Sequence, residues 1–100
     1  MEIMALTPEE KKAKKIASKE KQLAKVAVLL VKFNLKSDAK QAARIVLMTA
    51  LSVETDNTKR IKLQAKIDKS SEMIDKYSLA ITRYNSKKIV LEEELRILKL

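Results

Sequence analysis

The sequence predicts an all-α protein, and three observations carry that expectation. The chain of 100 residues contains no Gly and a single Pro, so the punctuation that hairpins and tight β-turns depend on is missing. Its apolar residues recur at helical spacing, culminating in a seven-residue repeat over the C-terminal half. Aromatics make up only 3% against 46% hydrophobic residues, so the buried side chains are Leu, Ile, Val, Ala and Met, which suit helix packing. The expected architecture is a helical hairpin, helices 1 and 2 over 7–53, followed by a long coiled-coil helix over 57–99 that self-associates. All of it forms one domain spanning 1–100, with residues 1–6 as a flexible lead.

The first helix marks its own beginning. Thr7 is suited to cap, Pro8 fits the first helical position, and Glu9 and Glu10 complement the helix dipole, Glu10 also completing a capping box. Beyond it Ile16, Leu23 and Leu30 recur every seven residues, with Val26, Ala27 and Phe33 beside them. The stretch from Glu9 to Lys21 is polar nearly all round and is expected to project from the core or lie on a partner.

A turn is expected between Phe33 and Ala39. The apolar pattern stops at Asn34, Lys36, Ser37 and Asp38, with Asn34 suited to a left-handed helix terminus and Ser37 or Asp38 to an N-cap. Helix 2, about 38–53, carries Ala39, Ala42, Ala43, Ile45, Val46, Leu47, Met48, Ala50 and Leu51, so it is apolar around most of its circumference. Such a helix is expected at the centre of the core. Thr55, Asp56 or Asn57 then caps a third helix after a bend.

Helix 3 holds the clearest pattern. Ile67, Ile74, Ile81 and Leu95 lie seven apart and interleave with Leu63, Tyr77, Tyr84, Leu91 and Leu98, interrupted by Ser70 and Lys88. These residues are the expected oligomer seam. At 1.5 Å per residue the helix reaches ~60 Å, too long for two shorter helices to cover, so a second copy is the simplest cover and a dimer is favoured. Lys87 with Glu92 and Glu94 with Lys99 would pair between parallel copies. Two alternatives stand beside this: the stripe packs against helices 1 and 2 within the chain, or helix 3 breaks at Asn85 and Ser86.

Composition excludes several chemistries. With no Cys and no His there is no thiolate nucleophile, no disulfide and no Cys/His metal site, and with no Gly there is no Gly-rich phosphate loop. Glu92, Glu93 and Glu94 point about 100° apart on a helix and do not converge on one cation. No acid lies inside an apolar run where burial would shift its pKa. The expectation is a non-enzymatic protein without cofactor, metal or small-molecule substrate. The apolar runs Val26 to Val31 and Ile45 to Leu51 are far shorter than the ~20 residues of a membrane span, and a cytoplasmic, soluble protein is expected.

Charge suggests a partner. The formal net charge is +9, and the surplus is spread through the chain rather than held in a tail. In helix 3 Lys59, Lys62, Lys66, Lys69, Lys76, Arg83 and Lys87 align on one flank, and Lys11, Lys12, Lys14 and Lys15 form a local N-terminal cluster. Such a stripe suits phosphates along a duplex, in salt-sensitive, sequence-independent binding. Phe33, Tyr77 and Tyr84 lie on apolar faces, which disfavours base stacking and hence single strands. The leading expectation is a small basic helical oligomer that binds nucleic acid in regulation or packaging, a role whose composition suits a viral or mobile-element protein. The alternative is a protein-interaction or assembly factor, such as a scaffold, adaptor or inhibitor. Binding to an anionic membrane surface through helix 1 ranks third.

Overall fold

The computed structural model describes residues 5–100 and is all-helical: α1 spans Pro8–Val53 and α2 spans Asn57–Leu98. Of the lead expected over 1–6, residues 1–4 lie outside the described residues, and Ala5 and Leu6 precede α1. Thr7 caps α1 as its chemistry dictates, its hydroxyl accepting from the Glu10 amide at 3.1 Å, with Pro8 in the first turn. Three residues join the helices, which run antiparallel side by side in a shape 80 × 31 × 14 Å. No helix among the described residues is long and apolar enough to cross a membrane.

The turn expected at residues 34–38 does not form. Helices 1 and 2 of the sequence reading are one continuous helix, so the hairpin is made by α1 and α2 rather than within 7–53. The polar residues that signal a terminus satisfy themselves inside the helix instead. Asn34 Nδ2 donates to the Leu30 carbonyl at 2.8 Å, and Ser37 Oγ accepts from Gln41 Nε2 at 3.0 Å. No described residue takes positive φ, so Asn34 is no left-handed cap. With neither Gly nor Pro in this stretch, nothing interrupts the i→i−4 ladder, and tertiary packing on both sides of the polar segment carries the helix through.

That packing follows a seven-residue period along both helices. The inward positions of α1 are Ile16, Leu23, Leu30, Ser37, Arg44 and Leu51, interleaved with Lys19, Val26, Phe33, Lys40 and Leu47. Those of α2 are Leu63, Ile67, Ser70, Ile74, Tyr77, Ile81, Tyr84, Lys88, Leu91, Leu95 and Leu98. The most buried apolar side chains are Val26 and Leu91, each 3% exposed, and with Leu30 they form a cluster packed by Leu23, Ile81 and Tyr84. The stripe expected to need a second copy is thus covered by α1, which is long enough to do so because it does not turn at 34–38. The segment 38–53 is likewise not the centre of a core. It gives Leu47 and Leu51 to the seam and leaves Ile45, Val46, Met48 and Val53 exposed.

At mid-length the seam becomes polar and small. Ser37 and Ser70 are buried, Lys40 and Arg44 are half-buried, and Arg44 Nη1 donates to Ser71 Oγ at 3.3 Å across the two helices. Arg44 Nε is buried and has no hydrogen-bond partner among the described residues. Helix α2 passes Asn85 and Ser86 without a break. The pairs Lys87 with Glu92 and Glu94 with Lys99 are not the ones formed: Glu94 pairs with Lys19 and Lys99 with Glu20 at 3.1 Å, both on α1. Instead of projecting freely, the polar first half of α1 is held along the C-terminal half of α2.

Candidate nucleic-acid interface

An antiparallel helix pair has two broad faces, and the grooves along this one show which residues share each. On one face Ala50 lies with Lys59, Lys62, Leu63 and Lys66 near the connection. Further along, Lys40 and Leu47 of α1 line a groove with Lys66, Lys69, Ser70 and Met73 of α2, and near the far end Lys15 and Lys19 lie with Glu94, Ile97 and Leu98. On the other face Leu51 lies with Asn57, Arg60, Ile61 and Gln64, Arg44 reaches Ser71, and Glu20 meets Lys99.

Continuing each set at seven-residue spacing sorts the charges. The first face takes Lys11, Lys15, Lys25, Lys32, Lys36 and Lys40 from α1 and Lys59, Lys62, Lys66, Lys69, Lys76, Arg83 and Lys87 from α2. Its acids are Glu94, ion-paired to Lys19, and Glu54, whose carboxylate accepts from the Thr55 and Asp56 amides at 3.2 and 3.1 Å. The opposite face takes Glu20, Asp38, Asp68, Asp75 and Glu92, and there Asp68 accepts from Gln64 Nε2 at 2.9 Å. Cations thus dominate the first face, whereas the second mixes its acids with Arg44, Arg60 and Lys99, across a ribbon 14 Å thick along its shortest axis.

The helix α2 stripe read from the sequence is therefore on one face, and the structure adds to it the α1 lysines at 25, 32, 36 and 40, which sequence reasoning missed. The signal was present: Lys25 and Lys32 are seven apart, as are Lys62, Lys69 and Lys76. Seeing that they share a face required knowing that α1 stays helical through 34–38. From Lys59 to Lys87 the stripe runs about 42 Å at 1.5 Å per residue, somewhat more than one turn of duplex at about 34 Å. Lys40 is the member closest to the seam, half-buried, while Lys66 and Lys69 are exposed. Buried Ser70 forms part of the groove between them, where a larger side chain would fill the space.

The N-terminal cluster divides. Lys15 and Lys11 belong to the basic face, Lys11 at its far end on the row of Lys25 and Lys32, Lys12 Nζ donates to the Leu100 carbonyl at 3.2 Å, and Lys14 is exposed. Of the seam residues proposed from the sequence, Ile67, Ile74, Leu91 and Leu95 are buried and Leu63, Tyr77, Ile81, Tyr84 and Leu98 are half-buried. Near the end of α2, Arg96 Nη2 and Nε donate to the Glu93 carboxylate at 2.6 and 3.0 Å, which holds that carboxyl below its ordinary pKa and raises that of the guanidinium. Among the described residues no three metal-ligating side chains converge. Comparison with protein-family models, with curated proteins and with solved structures finds no match to this chain.

Proposed function

We propose that the chain is a non-enzymatic nucleic-acid-binding protein that holds the phosphate backbone of a duplex, without reading sequence, in a regulatory or packaging role. The observation that carries this reading is the collection of cations from both helices on one broad face, with Lys40, Lys66 and Lys69 along a single groove. A flat positive surface longer than a helical turn neutralises several phosphates at once and releases their counterions. Lysine, a point charge on a flexible stem, suits backbone contact; base-edge readout favours Arg, Asn and Gln. Phe33, Tyr77 and Tyr84 are engaged with one another in the seam, which favours duplex over stacked single strands. We read the two helices as an antiparallel coiled coil whose role is to keep this surface straight.

The test is fluorescence anisotropy with a random-sequence duplex over a range of salt concentrations. Log affinity should fall linearly with log salt, with a slope of about −0.9 for each phosphate neutralised. Absence of binding at low salt would overturn the reading. A protein-interaction or assembly role is the second reading, favoured by apolar side chains exposed along α1, including Val28, Leu35 and Val46.

A further inference from the structure

Helix α1 is apolar on two opposite sides. One side packs on α2. The other, its outer edge, repeats the same period with Ala24, Val28, Val31, Leu35, Ala42 and Ile45, widened by Val46 and Val53. Six of these, the valines, Leu35 and Ile45, are between 60 and 78% exposed. Scattered surface apolar residues need no explanation, but a continuous edge of them, about 45 Å long at 1.5 Å per residue, does.

We infer that this outer edge of α1 is the surface through which two copies of the chain associate, α1 against α1 and antiparallel. Three properties select a second copy. Covered by a second copy, the edge would bury several hundred Å² on each side, approaching the roughly 800 Å² that each partner of a standard interface buries. Charge is sparse along the edge: Lys21 stands at its start and Asp38, between Val31 and Ile45 on the margin toward the acidic face, is its one acid, while Lys25 and Lys32 lie toward the basic face. The edge is also self-complementary in size. A two-fold axis between residues 38 and 39 sets Leu35 of one copy on Ala42 of the other and Val31 on Val46, whereas a parallel pairing stacks Leu35 on Leu35 and leaves Ala42 facing Ala42.

The antiparallel arrangement has a consequence for the basic face. A two-fold axis perpendicular to the helices keeps like flanks on the same side, so the lysine-bearing faces of both copies form one wider surface. A parallel pairing would turn them to opposite sides. Association through the edge and binding through the face remain separate properties, because the dimer is measured with no nucleic acid present.

Sedimentation equilibrium of the nucleic-acid-free full chain, up to about 0.5 mM, tests the inference. The expected result is a mass twice the 11.4 kDa of one chain, with association strengthened by salt, which screens lysine repulsion, while duplex binding weakens. Replacing Val31, Leu35 and Ile45 together by Glu should return the monomer mass. Circular dichroism should stay helical, since these side chains do not pack on α2. The same three changed to Gln should do likewise should Glu disturb the fold. Because the chain has no Cys, L35C and A42C mixed and oxidised should yield the mixed disulfide in excess of either homodimer. A monomeric parent, a triple variant that keeps the dimer mass, or a dominant L35C homodimer would each overturn the proposal.

Discussion

Phe33 of α1 and Tyr84 of α2 stack with ring centroids 5.7 Å apart and planes inclined by 17°, and Tyr77 meets the same Phe at 6.1 Å. These are all the aromatic residues the chain has. They form one layer of the seam beside the Val26, Leu30 and Leu91 cluster and set the register of one helix on the other. Removing Phe33 should therefore loosen register as well as packing. Because Phe33 is half-buried, Phe33→Ala should cost about 2 to 3 kcal/mol, somewhat less than the 3 to 5 kcal/mol of a fully buried Phe, read from urea denaturation.

Intramolecular packing of the seam predicts how its disruption should look. Replacing Ile74 and Ile81 by Asp puts charge where α2 meets α1, Ile74 being buried and Ile81 half-buried. Helix α2, 42 residues long, has no second packed face to hold it once the seam is broken. Helix content should fall sharply, and at high protein concentration only the part contributed by α1 should return. A variant that stayed fully helical and merely lost mass would show that the stripe joins two chains instead.

Much of this was legible in the sequence, and the part that was not has a single physical origin. The α2 seam, the Thr7 cap and the start of the second long helix at residue 57 follow from heptad spacing and capping chemistry that act locally. The continuity of α1 does not. Asn34, Ser37 and Asp38 carry every local sign of a terminus, yet the seam period passes through them from Leu30 to Ser37, Arg44 and Leu51. Polar occupants hid the period, and the decision between turn and helix was made by α2, a partner distant in sequence. The basic face inherits this: its α2 half was visible and its α1 half was not.

A pair of proline substitutions separates the expected turn from the real one. Ser37→Pro removes an amide from the middle of α1 and crowds the carbonyl four residues back, which should cost about 3 kcal/mol or more. Asn57→Pro sits at the first position of α2, where the amide has no helical partner, and Asp56 before it is already extended at φ −77°, ψ 121°. That variant should melt at or above the parent temperature. Equal effects of the two would mean α1 is interrupted in solution.

Arg60 closes the end of α1 from the other helix. The last turn of α1 has no basic residue, and Arg60 Nη1 donates instead to the carbonyls of Leu51 at 3.0 Å and Glu54 at 2.7 Å. It stands in for the Gly cap that this chain lacks. Arg60→Gln should cost about 1 kcal/mol, the exposure of the site holding the value to the low end for charge-assisted bonds. Exchange of amides near 51–60 should accelerate more than that of amides near Leu91.

The contribution of individual lysines follows from where they lie on the ribbon. Lys40, Lys66 and Lys69 border one groove and come from both helices, so a phosphate there meets charge from two directions. Lys59 and Lys62 extend the same face toward the connection. Changing Lys40, Lys66 and Lys69 to Gln leaves helix propensity nearly untouched. The triple variant should keep its fold by circular dichroism, bind duplex more weakly, and show a salt slope shallower by about 2 to 3 units at 0.9 per lost phosphate contact. Lys11, Lys12 and Lys14 changed together make the comparison, since Lys12 is turned to the Leu100 carbonyl and none of the three lines the central groove. Their loss should lower affinity less and flatten the slope less. If the N-terminal variant loses binding while the groove variant matches the parent, the basic face is only a solvated surface and the contact lies on the first turns of α1.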